Sequence, residues 1–309
     1  MSALTATLQK LRPTANAKRI GPIGLDCSLT ELHLVQMAVS RDHVISRHAL
    51  ASVPYPESRE VMLSSAKKMR PLIHKAMGSD RFQGKQVITT LPASSTRIMP
   101  VTYHLQDGQS TDGALLKVLK ERIDGDLKDY VIDYLPVRSD KRSDAHTAIV
   151  AIARCDEVIR YLEVLRKSGL VTKQLEIGPS AIRRLISAMG NRDRHEDILA
   201  INFGRNHSYL TVVSGARLLL DQPVNLGETR ILESIASALE MSMDAARELV
   251  NNTSFATTAR PQHHGNLDID IAETLSEIVK PVFLELAEEI NRVLVYTCLL
   301  YTSPSPRDL

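Results

Sequence analysis

Tryptophan is absent from the 309 residues, and aromatic side chains make up only 4% of them. Nucleic-acid binding through stacked bases is disfavoured, because stacking needs aromatic platforms and the Lys and Arg residues are spread along the chain rather than clustered. Cysteine is scarce too. Cys27, Cys155 and Cys298 are far apart and odd in number, which argues against a disulfide framework or a CxxC metal site and for a reducing compartment. Long apolar runs are also missing: no segment reaches the ~20 apolar residues that span a bilayer. The N-terminal MSALTATLQKLRPTANAKRI carries Lys10, Arg12, Lys18 and Arg19 but no apolar core of a signal peptide. A cytoplasmic protein is expected, with no direct membrane insertion and any membrane role exerted through a partner. The net charge of +2 gives no strong instruction about partners.

What is present is ordinary globular material, 43% hydrophobic and 24% charged, in a chain long enough for about two domains of roughly 150 residues each. Residues 1–19 read as a flexible polar leader. From Ile20 the pattern gives strand, turn and strand over Pro22–Asp26 and Thr30–Val39, then a third strand over Val44–Val53. Glu57–Met77 reads as a helix with Pro71 as its kink and Gly78 as its stop. Val87–Leu91 is a buried strand ended by Pro92.

The stretch LPASSTRIMPVTYHL then supplies an extended crossing into a small insertion with a helix over Gly113–Asp124 and strands over Tyr130–Val137 and Thr147–Ala153. A helix over Asp156–Lys167 begins with Asp156 and Glu157, which suit the positive end of the helix dipole. It is expected to turn Val158, Leu162 and Leu165 to the insertion's core and to stop at Gly169. Leu175–Ile177 and Pro179–Met189 follow as strand and helix, with NRDRHED as a polar boundary.

The second half is organised around ILAINFGRNHSYLTVVSGARLLL, Ile198–Leu220. It reads as an apolar strand, a reversal through Asn202, Phe203 and Gly204, a second strand, and another turn at Ser214 and Gly215. A turn that points backbone N–H groups outward is a way of holding phosphate, although most glycine hairpins bind nothing. Gly227 opens the amphipathic run TRILESIASALE, with Ile231, Ile235 and Leu239 recurring on one side, and Ser242 is a candidate N-cap for a helix to Val250. Asn251–Gly265 is a polar loop whose His263 and His264 read as solvated. Ile271, Leu275, Ile278, Val282, Leu286, Ile290 and Leu294 sustain a long helical stripe that Pro281 kinks or divides. CLLYTSPSPRDL does not continue that stripe, and 298–309 reads as a non-native tail.

Several stretches in this order and spacing resemble the PilM family, the cytoplasmic actin-like proteins of type IV pilus assembly, which are related to the division protein FtsA. The similar biogenesis proteins of mannose-sensitive haemagglutinin pili are included. The carriers are IGLDCSLTELHLVQM (Ile23–Met37), LPASSTRIMPV (Leu91–Val101), IDYLPV (Ile132–Val137), YLEVLRKSGL (Tyr161–Leu170), EIGPSAIR (Glu176–Arg183), NFG with NLGETRI, and KPVFLELAEEINR (Lys280–Arg292).

The resemblance implies an α/β, actin-like (ribonuclease-H-like) fold of two lobes. The first lobe would comprise 20–91 and 171–194, with a small α/β insertion over 92–170. The second would comprise 195–297 and be truncated at its C-terminus. It implies ATP with Mg²⁺ gripped by two hairpins, Asp26 and Ser28 in the first, Asn202 and Gly204 in the second; by residue type alone Arg205 is a candidate phosphate contact or an ordinary exposed turn cation, and Gly227 opens the helix beyond. Asp26 would hold water around Mg²⁺.

The family's pattern is broken at four places. Ser28 stands for a glycine, where a left-handed turn would cost roughly 1–2 kcal/mol. His33 stands for a lysine, Asn202 for an aspartate, and Arg247 and Val250 for the Glu and Lys of the adenosine site. These departures weigh against Mg-ATP binding and against an enzyme. Cys27, beside Asp26, is expected to be buried and inert.

The function implied is an adaptor. It binds the short N-terminal cytoplasmic tail of an inner-membrane pilus protein, in a groove of which Leu91, Pro92, Ile98, Pro100 and Val101 form part, with strand addition to a sheet edge as the expected mode. The alternatives are an active ATPase or kinase of the superfamily, and a self-associating filament former.

Overall fold

Alternating apolar residues after Arg19 give three strands, β1 (Arg19–Cys27), β2 (Glu31–Val39) and β3 (Ile45–Pro54). The computed structural model describes residues 19–42, 44–106, 108–139, 145–189, 197–215, 217–253 and 266–301. The leader up to residue 18, His263, His264 and residues 302–309 lie outside the described residues. The chain continues through α1 (Arg59–Leu63), α2 (Ala66–Gly78), β4 (Gln86–Thr90), β5 (Arg97–His104), α3 (Thr111–Lys120), β6 (Tyr130–Ser139) and β7 (Ala145–Arg154). Then come α4 (Cys155–Lys167), β8 (Val171–Glu176), α5 (Gly178–Met189), β9 (Asp197–Asn202), β10 (Ser208–Ser214) and β11 (Arg217–Val224). Three helices end the described chain: α6 (Glu228–Ala238), α7 (Met243–Asn252) and α8 (Asn266–Tyr301). Two compact units result, residues 1–181 and 182–309, divided within α5.

In the first unit the antiparallel meander β1–β2–β3 is extended by β4 and β8, both parallel, in the order β3-β2-β1-β4-β8. Successive strand side chains point to opposite faces, so Ile23, Leu25, Leu32, Leu34, Ala51 and Val53 gather on one side. Met69, Leu72 and Ile73 of α2 and Val158, Tyr161, Val164 and Leu165 of α4 pack in the same cluster. This corrects the expectation that Val158, Leu162 and Leu165 face the insertion's core: α4 returns to the large sheet. The opposite face leaves Val35, Met37 and Leu50 exposed.

Gln36 is 1% exposed and fully engaged. Its Nε2 donates to the carbonyls of Gly21 and Gln83, and its Oε1 accepts from the Gln83 amide, each at 2.8 Å. One buried side chain thus ties the irregular start of β1 to the loop before β4.

The single helix expected over Glu57–Met77 is divided at Ser64 and Ser65, and Pro71 lies inside α2. The Ser64 hydroxyl donates to the Val61 carbonyl at 2.7 Å, while Ser65 caps α2 by accepting from the Lys67 amide at 3.1 Å. Serine hydroxyls that bond locally to the backbone end one helix and start the next. Like α2 at Pro71, α8 runs undivided through Pro281 and past Cys298 to Tyr301. The insertion is a three-stranded sheet, β5-β7-β6, with α3 on one face.

The second unit carries the sheet β11-β10-β9. β10 is central, with Ser208, Leu210, Thr211 and Val213 fully buried. Leu232, Ile235, Ala246 and Leu275 form the core shared by α6, α7 and α8, with Ile231 and Leu239 at its margin. Ser242 caps α7 as expected, accepting from the Ala245 amide at 3.2 Å. Between α6 and α7, Glu240 has φ +50°, and Met241 N–H reaches back to the Ala236 carbonyl at 2.9 Å. That left-handed position ordinarily falls to glycine. Glu240→Gly is expected to raise unfolding stability by about 1 kcal/mol; a denaturant titration showing no gain would contradict this.

Candidate functional site

The first hairpin brings Asp26 opposite His33 and Cys27 opposite Leu32. Its turn is closed by Ser28. The Ser28 amide donates to the Glu31 carbonyl at 3.0 Å, and the hydroxyl donates to the same oxygen at 2.9 Å and accepts from the Glu31 amide at 3.2 Å. Ser28 does not adopt the left-handed conformation, since Glu240 is the only non-glycine with positive φ among the described residues. The expected strain is therefore corrected: the turn closes with Ser28 outside the left-handed region, and its hydroxyl adds two bonds to the backbone of Glu31.

Asp26 is exposed as a residue, yet the protein around its carboxyl thins the water and raises its pKa, with the positive charges of His33 and Arg59 opposing. His33 Nδ1 lies 2.8 Å from Ser52 Oγ. Cys27 is buried as expected, and burial pushes its thiol up to about 11, a weak nucleophile at neutral pH. Among the described residues no group of three or more His, Cys, Asp or Glu gathers that could hold a metal ion.

The second hairpin turn is docked on the start of α6. The amides of Glu228 and Thr229 donate to the carbonyls of Gly204 and Arg205 at 3.0 and 2.8 Å, satisfying two donors that a helix start leaves without partners. Thr229 Oγ1 donates to Asn206 Oδ1 at 2.9 Å, and Ser208 Oγ donates to the Leu226 carbonyl at 2.6 Å. Both glycines are required for closeness rather than for a left-handed turn. A Cβ on Gly204 would sit 2.3 Å from the His207 carbonyl oxygen, and one on Gly227 would sit 2.5 and 2.6 Å from those of Arg205 and Gly204.

Asn202 ends β9 as an exposed, uncharged side chain. The Arg205 guanidinium approaches Glu228 at 4.0 Å, and Arg247 pairs with the same carboxylate at 3.2 Å. The structure thus brings Gly204, Arg205 and Gly227 together. Glu228 and its pairing with Arg247 were missed in the sequence; the signal was an acid in the first helical turn and a base 19 residues on.

Within the first unit, a cavity of about 430 Å³ is lined by Arg59, Leu63, Leu91, Pro92, Glu157 and Tyr161 among others. A second, of about 310 Å³, is lined by Arg97, Ile123, Asp124, Tyr130 and Arg154. Ser94, Ser95 and Glu157 line both, so the two neighbouring cavities make up a groove between α1, α4 and the insertion. Arg59 braces it, donating to Ser94 Oγ at 3.1 Å and to Glu60 at 2.9 Å.

Of the residues proposed for such a groove, Leu91 and Pro92 line it. Ile98 and Pro100 lie farther along β5, on the sheet face away from α3. Val101 is 0% exposed in the core beneath α3, and its place in the groove is corrected: strand alternation puts residue 101 on the side opposite 98 and 100. β5 is an edge strand of its sheet, as strand addition would need.

Among the described residues no helix is long and apolar enough to cross a membrane. The family model described as type IV pilus assembly protein PilM matches residues 24–298. Among solved structures, the PilM-PilN type IV pilus biogenesis complex is similar with a TM-score of 0.67 at 21% identity, covering 92% of this chain and 79% of that one. The ethanolamine utilization protein EutJ from Carboxydothermus hydrogenoformans gives 0.49 at 12% identity, with 90% and 72% covered. MreB 5 of Spiroplasma citri bound to AMPPNP gives 0.44 at 10%, with 92% and 79% covered. No curated protein matches. The fold is α/β and actin-like, and with the family match running over residues 24–298 the chain belongs to the PilM family of type IV pilus assembly proteins.

Proposed function

We propose that the chain is an adaptor of type IV pilus assembly. It works in the cytoplasm, held at the inner membrane by a PilN-type protein whose short N-terminal tail it binds, and it links that protein to the cytoplasmic machinery. The observation that carries the reading is the pair of neighbouring cavities that share Ser94, Ser95 and Glu157, with Leu91 and Tyr161 offering apolar contact and Ser95 a hydroxyl. A short extended segment fits such a trough, its backbone bonding to polar groups while side chains fill the two cavities.

The residues at the hairpins do not fit Mg-ATP. Asn202 lacks the charge that attracts a divalent cation, Ser28 spends its hydroxyl on its own turn, and at the family's adenosine position Arg247 is held by Glu228. The second reading, an active ATPase, is favoured by the retention of Asp26 and of the close-packed Gly204 and Gly227.

Co-purification and calorimetric titration with a synthetic tail peptide test the adaptor reading. Saturable binding is expected in the absence of Mg-ATP. Failure of any tail peptide to bind would sink it, and Mg-ATP turnover lost on Asp26→Ala would favour the rival.

A further inference from the structure

The groove has a charge pattern that bears on which tail it accepts. Its cations near the middle are already engaged. Arg59 is held by Glu60 and Ser94, and Arg154 and Arg160 both lean on Asp156, at 3.1 and 3.6 Å. Arg97 and Asp124, one of each sign, line only the outer cavity. Glu157 alone among the charged residues lines both cavities. It is half-buried in the first turn of α4, and among the described residues no side chain pairs with its carboxylate. A half-buried acid whose carboxylate pairs with no side chain, in the lining shared by two neighbouring cavities, selects positive charge.

We infer that Glu157 is a specificity residue of the groove, which requires a cationic group on the bound segment at the point where the two cavities meet. The inference rests on the tail-binding reading above and names the chemistry of the tail. Cytoplasmic segments next to a membrane span are enriched in Lys and Arg, so a tail of this kind can supply the cation from a side chain. Its terminal ammonium is the other source of the same chemistry. Charge-assisted hydrogen bonding to Glu157 would then set the register of the segment, while Leu91 and Tyr161 on one side and Ile123 and Tyr130 on the other take its apolar residues.

A carboxylate in the first turn of a helix also favours the helix dipole, so the test must separate the two roles. Tail peptides of the PilN-type protein are titrated into the full chain and into Glu157→Gln and Glu157→Lys, at low and high salt, with thermal melting of each variant alongside. Glu157→Gln is expected to weaken binding about tenfold and to flatten its salt dependence. Glu157→Lys is expected to prefer a peptide whose Lys or Arg has been changed to Glu. Acetylated peptides distinguish the terminal ammonium from a side-chain cation as the source. If the unaltered chain binds no tail, the adaptor reading falls and this inference with it. If it binds while both variants bind equally well with the same salt slope, or weaken only in proportion to a lowered melting temperature, the role of Glu157 is overturned and the adaptor reading stands.

Discussion

Gly227→Ala is expected to destabilise the second unit by about 3 kcal/mol. The added methyl would lie 2.5 and 2.6 Å from the carbonyl oxygens of Arg205 and Gly204, and 2.7 Å from the Arg205 carbonyl carbon. These are backbone atoms and cannot swing aside like a flexible side chain. Relief requires the turn to move off the start of α6, which breaks the bonds from Glu228 and Thr229 to those same carbonyls and leaves helix-end donors without partners. Chemical denaturation, with fluorescence or circular dichroism as readout, checks the size. A loss below about 1 kcal/mol would mean that turn and helix adjust without cost and that the close packing is not what fixes the turn. Gly78→Ala is the control, since a Cβ there meets nothing within 4 Å.

Asp221→Asn is expected to do the reverse at neutral pH. Asp221 lies on β11 opposite Thr211, whose hydroxyl donates to its Oδ1 at 2.6 Å. It is 9% exposed. Burial raises its pKa to about 6, with the Thr211 bond pulling the other way. The folded state therefore holds this proton at pH values where the unfolded chain has released it. The stability that the proton confers is fully present below the unfolded carboxylate value, near 4, and is lost as pH rises through about 6. The difference amounts to roughly 3 kcal/mol at most, as an order of magnitude. Asn keeps an acceptor for Thr211 and carries no charge. The variant should be more stable than the parent at pH 7.5, and the advantage should shrink toward pH 4. An advantage that stays constant with pH, or a variant less stable at neutral pH, would show that the buried charge is not the cause.

Much of the fold was legible in the residues because most elements carry their own period. The alternation of Ile23, Leu25, Leu32 and Leu34 gives strands whose buried face is unambiguous, and Ser242 and Gly169 mark a helix start and a helix end by local chemistry. The placing of α4 was not legible, because an amphipathic helix shows which side it buries and not which of two sheets it buries it against. The break at Ser64 and Ser65 was hidden because both serines sit within an apolar pattern that runs on across them. Val101 was recoverable, since its parity along the strand separates it from Ile98 and Pro100. Ser28 was misread because only its Cβ was weighed, not a hydroxyl able to close the turn. Glu157 was visible as a helix-dipole acid, but its position at the junction of two cavities depends on the turn at residues 93–95, which is remote in sequence.

The most direct measurement is site-specific photo-crosslinking to the tail of the PilN-type protein, with the reactive group placed at Ser95 in the groove and, separately, at Leu50 on the open face of the large sheet. The adaptor account requires the tail to be captured from position 95, without nucleotide, and not from position 50. Capture from position 50, equal capture from both, or none from position 95 by a chain that binds the tail would contradict it.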